Sequence, residues 1–215
     1  MLDHLPPVTR ALLISNVAVF VLQMLQPGLF NDFMLWPWGD YLVRDQQGQV
    51  VNVGFLPWQV FSYGFMHGGL SHLFLNMFAL YMFGGPIEQA WGTRRFSIYY
   101  FTCLIGAGLI QLLVATSAVQ ADGGLYPTVG ASGAVFGLLL AFGMQWPNRQ
   151  ILLLIPPIPM KARTFVIVYG LIELVMGVTG TQSGVAHFAH LGGMAFGFGL
   201  IQYWRGRWPF ERRRR

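Results

Sequence analysis

Six apolar stretches recur along this chain, near residues 9 to 26, 58 to 84, 94 to 117, 131 to 146, 162 to 178 and 186 to 204. Most approach the roughly 20 residues that a helix needs to cross a bilayer. Backbone polar groups inside lipid must pair within their own segment or in a closed barrel, and these runs lack the alternation of barrel strands. The expected fold is therefore an all-α membrane protein with six transmembrane helices. Composition agrees: 54% of residues are hydrophobic and 10% are Asp, Glu, Lys or Arg, where soluble domains carry about 25% charge. An ordinary soluble enzyme is excluded. The chain contains 27 Gly and 12 Pro, residues that membrane helices tolerate and use for close approach. The lone Cys103 lies in an apolar run and can form no internal disulfide.

The first run follows Arg10, as the apolar core of a signal peptide would, but it continues into Gln26, Pro27, Gly28, Leu29 and Phe30. That is no small-residue cleavage site, so the run is expected to stay as a helix. The segment before the second run holds Trp36, Pro37, Trp38, Gly39 and Asp40, which suits an interfacial loop with aromatics at headgroup depth. With six spans and the N-terminus inside, Arg10, Arg94, Arg95, Arg149, Lys161, Arg163, Arg205, Arg207 and Arg212 to Arg215 all face the cytoplasm. Arg44 alone falls outside. This asymmetry places both termini in the cytoplasm. The basic tail reads as an anchor beside lipid headgroups, not as a nucleic-acid site, because it is short and adjoins a span.

The fourth run is the most informative, because Pro127 and Pro147 bracket it and a helix interior resists Pro. A helix over 131–146 covers roughly 24 Å, short of the ~30 Å hydrocarbon core. Trp146, Asn148 and Arg149 place its C-terminal end at the cytoplasmic interface. Its N-terminal end, with Ser132, then lies inside the membrane. Free N–H groups at that depth need enclosing protein or a wet cavity.

Three clusters have chemical potential. Gly130, Ala131, Ser132 and Gly133, with Gly137 further on, read plainly as a packing surface. Alternatively, a serine in the first turn has its hydroxyl beside unsatisfied N–H groups that can hold an oxyanion. Ala189, His190, Leu191, Gly192 and Gly193, with Gly197, place an ionisable residue inside a span, and imidazole is the usual base for a serine. His187 shares that helix face, where it can orient substrate or act as a structural hydrogen-bonder. His72 and Asn76 are four residues apart and project from one face. They can join helices by hydrogen bonds or complete an oxyanion hole. A metal site from His67, His72, His187 and His190 lacks carboxylates and a second cysteine to complete a ligand set, so no metal and no cofactor are expected.

Together these motifs resemble the rhomboid family of intramembrane serine proteases, bacterial six-helix type, over about Pro7 to Trp204. The family pattern of a His followed by His-x-x-x-Asn matches His67, His72 and Asn76. Its Gly-x-Ser-Gly matches Gly130, Ser132 and Gly133, and its Ala-His-x-x-Gly matches Ala189, His190 and Gly193. The resemblance implies a six-helix bundle with a short central fourth helix. Residues 1–215 form one domain, with a core at about 7–204 and a basic tail at 205–215. It implies Ser132 as nucleophile and His190 as general base, with no required acid as third member. The N–H groups near Ala131 and Ser132, with His72 and Asn76, would hold the oxyanion, and Gly130, Gly133, Phe136, His187 and Gly193 would support the site.

The implied substrates are transmembrane segments of other proteins, with small residues beside the cut and helix-weakening residues nearby. Access is expected to be lateral, by movement of the fifth helix and of a loop containing Gly123 and Gly124.

Two positions depart from the family. Phe136 stands where many bacterial members have Tyr, keeping the aromatic face and losing the hydroxyl. Gln59 follows Trp58 where the family often has Trp-Arg, losing a charged anchor. Glu88 reads as structural, and Glu173 as a protonated carboxyl bonded to backbone, outside the site. The rivals are a catalytically inactive relative that binds membrane proteins, which would typically lack the serine or histidine, and a channel or transporter, for which no internal repeat is visible. The compact six-span form points to a bacterial inner membrane. No feature of the sequence bears on oligomeric state.

Overall fold

Apolar side chains point outward on the long helices of this chain, as lipid contact requires. In α1 (Pro7–Leu25), Ile14, Val17 and Val21 are exposed while Thr9, Asn16 and Phe20 are buried. The computed structural model describes residues 4–44, 48–122, 124–152, 157–180 and 186–206. Gly123, and Arg207 and Arg212 to Arg215 of the basic tail, lie outside the described residues. Among the described residues, four helical segments are long and apolar enough to cross a membrane: Pro7–Leu25, Leu70–Trp91, Thr93–Ala121 and Ala162–Thr179. The helix Ser132–Gln145 is apolar but shorter. The last helix, His187–Trp204, is 18 residues long and carries two histidines, four glycines and Gln202.

After α1, a 3-10 turn at Pro27–Phe33 leads to a hairpin of β1 (Asp40–Arg44) and β2 (Val50–Gly54) and a short α2 (Gln59–Ser62). The second span is α3 (Leu70–Ala79), which passes through a π turn at Leu80–Gly84 into α4 (Gly85–Trp91). Then come α5 (Thr93–Asp122), α6 (Ser132–Gln145), a hairpin of β3 (Gln150–Leu152) and β4 (Pro159–Lys161), α7 (Ala162–Thr179) and α8 (His187–Trp204).

Two expectations need correction. The protein is mostly helical but not all-α: among the described residues, two small antiparallel hairpins occupy connections. There the chain can pair laterally without leaving strand edges in hydrocarbon, and Val50, Val51 and Val53 favour extended backbone. The second span runs over 70–91, not 58–84. Residues 59–65, largely apolar, fold into short turns before Gly68 and Gly69. Pro86 does not end the helix: it lies in the first turn of α4, directly after the π turn at Leu80–Gly84, where a proline is tolerated.

The helix α5 is the central post. Phe96, Tyr99, Tyr100, Cys103, Leu104 and Ala107 lie on one face at helical spacing, each at most 1% exposed. Against it pack α6 and α8, whose glycines allow near contact of backbones. A methyl group built on Gly193 would overlap the Gly133 carbonyl, and one on Gly133 would overlap Ala107. The Tyr99 hydroxyl donates to the Gly137 carbonyl at 2.7 Å, fixing α5 to α6 in depth. The α1 N-terminus is held by buried Glu88 of α4. Its carboxylate accepts the Val8 and Thr9 N–H groups at 3.0 and 2.7 Å and the Thr9 hydroxyl at 2.8 Å. Glu88 also accepts the Thr93 hydroxyl at 3.1 Å, a structural role as its position suggested.

Candidate active site

Ser132 is the first residue of α6, with Ala131 as the preceding cap. The chain enters this turn under tight backbone control. Leu35 and Thr128 exchange N–H···O bonds of 3.0 and 2.8 Å, and the Gly130 N–H donates to the Tyr63 carbonyl at 2.9 Å. Gly130 has φ +124°, a conformation that side-chain-bearing residues rarely adopt. A methyl group there would also come within 2.8 Å of His72 Nε2 and 3.7 Å of Ser132 Oγ. Glycine is thus required twice, for its backbone angle and for the space between His72 and the serine.

His190 lies on the first turn of α8 and is buried. Its Nε2 is 2.8 Å from Ser132 Oγ, across the glycine contact between the two helices. Phe136, one turn beyond the serine, stacks on the His190 ring with centroids 4.3 Å apart and planes 7° from parallel. Aromatic contact therefore holds the imidazole without the hydroxyl that Tyr would carry.

On the other side of the ring stands Glu173 of α7. Its Oε2 lies 2.8 Å from His190 Nδ1 and 2.7 Å from His187 Nδ1. Glu173 therefore pairs with two imidazoles and not with backbone, which corrects its expected partner. If Glu173 is ionised it only accepts, so both imidazoles, when neutral, donate to it from Nδ1–H. His190 Nε2 is then unprotonated and faces the serine hydroxyl.

His72 and Asn76 lie on α3, and the His72 ring reaches over Gly130. His72 Nδ1 accepts the Gly68 N–H at 3.3 Å, which leaves Nε2 as the protonated nitrogen of a neutral ring. Asn76 is buried and uses one amide hydrogen on the His72 carbonyl at 3.0 Å. His67 stacks edge-on to His72 with centroids 5.2 Å apart. The four histidines considered for a metal therefore fall into two pairs, 67 with 72 and 187 with 190.

One trio does gather potential ligand atoms: those of Glu173, His187 and His190 lie within 4.8 Å of one another. The N···O distances of 2.7 and 2.8 Å are those of hydrogen bonds. Ligands around a tetrahedral zinc, each about 2.0–2.1 Å from the ion, stand roughly 3.3 Å apart.

Gln59 resolves the other departure. It is fully buried, its Oε1 accepts the Trp36 N–H at 3.1 Å, and its Nε2 donates to the carbonyls of Asp32 and Gly54 at 3.2 and 3.1 Å. A neutral amide ties the first loop together where a charged anchor was thought lost.

The matches to known proteins follow this geometry. A family model described as the Rhomboid domain matches residues 55–206. RHOMBOID-like protein 4 of Arabidopsis thaliana is 33% identical over 141 residues, 66% of this chain and 32% of that protein. Rhomboid protein 1, mitochondrial, of Saccharomyces cerevisiae is 31% identical over 169 residues, 74% of this chain and 45% of that protein. Presenilin-associated rhomboid-like protein A, mitochondrial, of Danio rerio is 30% identical over 151 residues, 67% of this chain and 38% of that protein. This multi-pass membrane protein belongs to the rhomboid family. The chain spans less than half the length of these relatives, all of them eukaryotic.

Proposed function

We propose that this protein is an intramembrane serine endopeptidase that cleaves transmembrane segments of other proteins. The observation that carries the reading is the 2.8 Å approach of His190 Nε2 to Ser132 Oγ at the N-terminal end of a short apolar helix. In the first step His190 takes the hydroxyl proton as Ser132 Oγ bonds to the scissile carbonyl carbon. The N–H groups at the start of α6 near Ala131 and Ser132, with His72 Nε2–H and the second amide hydrogen of Asn76, receive the oxyanion. Collapse breaks the C–N bond, and His190 returns its proton to the leaving amine. Water, deprotonated by His190, then attacks the ester carbonyl; collapse breaks the C–Oγ bond, and His190 returns the proton to Ser132 Oγ. No cofactor enters these steps.

The proposed setting is a six-span bundle, with α6 and α8 as the fourth and sixth spans, in a bacterial inner membrane with both termini cytoplasmic. The partners are lipid and transmembrane substrates, not nucleic acid. Substrate would approach laterally past α7. That helix is the least enclosed of the four long spans, with Ile167, Leu171, Val175 and Val178 more than half exposed. A non-cleaving binding protein is the competing reading, and the retained Ser132 and His190 weigh against it.

The test is cleavage of a transmembrane substrate in proteoliposomes. Wild type should cut it, and Ser132→Ala and His190→Ala should each lose all but about 10⁻³ of the rate or less. Equal cleavage by wild type and Ser132→Ala would end this reading.

A further inference from the structure

The rhomboid resemblance implies two catalytic side chains, yet the described residues contain a continuous hydrogen-bonded line of four. Ser132 Oγ meets His190 Nε2 at 2.8 Å, His190 Nδ1 meets Glu173 Oε2 at 2.8 Å, and the same oxygen meets His187 Nδ1 at 2.7 Å. Glu173, His187 and His190 are each no more than 8% exposed. We infer that Glu173 is a positioning residue for the Ser132–His190 pair, making a branched triad in which one carboxylate oxygen holds the base in its Nδ1–H tautomer and His187 holds the carboxylate. This inference rests on the proposed serine-protease reading and names what prepares its base.

The argument is one of cost and direction. A carboxylate inside a membrane span is expensive unless donors meet it. Two imidazole N–H groups on one oxygen meet it here, and they come from positions three apart on one face of α8. A neutral imidazole has one protonated nitrogen, so a bond from Nδ1–H leaves Nε2 with the lone pair that the serine proton needs. The opposite tautomer would present N–H to Ser132 and could not act as base. When His190 takes the proton, the carboxylate 2.8 Å away also faces the resulting positive charge in a site of low polarity. Phe136 fixes the plane of the ring, and Glu173 fixes its protonation.

Glu173 lies on α7, whereas Ser132 and His190 lie on α6 and α8. Any displacement of α7 that separates the carboxylate from the ring removes the tautomer constraint. The base is therefore fully oriented only while α7 rests against α8, which links substrate passage to readiness for chemistry.

The experiment uses full-length protein in detergent or liposomes, with Glu173→Gln and Glu173→Asp beside wild type and Ser132→Ala. The amide of Glu173→Gln carries no charge and can either accept from Nδ1–H or donate to Nδ1, so it neither imposes the Nδ1–H tautomer nor faces the imidazolium with a negative charge. It should lower kcat by about 10²–10⁴-fold while KM changes by less than about twofold. Glu173→Asp, which keeps the charge, should recover at least about tenfold of that loss. Histidine ring ¹⁵N shifts, assigned with His190→Gln and His187→Gln, should report Nδ1–H at His190 in wild type and in Ser132→Ala. This reading does not depend on turnover, so it stands apart from failure of the protease assignment and decides the matter if Glu173→Gln does not fold. A kcat for folded Glu173→Gln within about threefold of wild type, or an Nε2–H tautomer at His190 in wild type, would overturn the inference. So would inhibition by a zinc chelator that added zinc reverses, since the trio would then be a metal site.

Discussion

The contact between Ser132 and His190 asks that α6 and α8 come close at their glycines. Gly133, Gly137 and Gly193 meet that demand, since a side chain at any of them would collide with Ala107, Cys103 or the Gly133 carbonyl. Gly193→Ala should therefore push α8 from α6, with an overpacking cost of about 1–3 kcal/mol. A lowered thermal midpoint together with weaker labelling of Ser132 is the expected result; an unchanged midpoint would mean that the contact is looser than described. These residues were legible in the sequence because small residues beside a serine and a histidine stand out within apolar runs. Glu173 was not. Its partners are 14 and 17 positions away on another helix, and nothing in the local pattern says which face of α8 it meets. Gln59 was missed for a similar reason: its three backbone partners lie in a loop whose path hydropathy does not specify.

Helix by helix, the site divides between fixed and displaceable parts. The helices α5, α6 and α8 are joined by glycine contacts and by the Tyr99 hydroxyl, while α1 is tied to α4 through Glu88. The helix α7 contributes Glu173 but is largely apolar and outward-facing, with Ile167, Leu171, Val175 and Val178 more than half exposed. A disulfide joining the second span to α7 should abolish cleavage of a bilayer-embedded substrate yet spare reaction of Ser132 with a small phosphonate, and reduction should restore cleavage. Undiminished cleavage in the cross-linked protein would rule out passage between those helices. The sequence marked the short α6 through its flanking prolines, and α6 spans 14 residues, about 21 Å. It misplaced the second span because a run of apolar residues does not distinguish turns packed on protein from helix packed in lipid. The π turn before Pro86 has no signature in periodicity at all.

For the molecule as a whole, apolar helices enclose the hydrogen-bonded cluster of Ser132, His190, Glu173 and His187, an arrangement that suits the proposed hydrolysis within a bilayer. Membrane character was legible from composition, and the rhomboid family from the order of three short motifs, each weak by itself. The hairpins escaped notice because they are short and lie in connections, where alternation over three to five residues carries little information. The protease account stands or falls on whether Ser132 is activated by His190. The most direct measurement is labelling of the purified, folded protein with a fluorophosphonate probe, comparing wild type with Ser132→Ala and His190→Ala. The account predicts covalent labelling of wild type at Ser132 and none of either variant; a folded wild type that stays unlabelled, or a Ser132→Ala protein labelled as strongly, would contradict it.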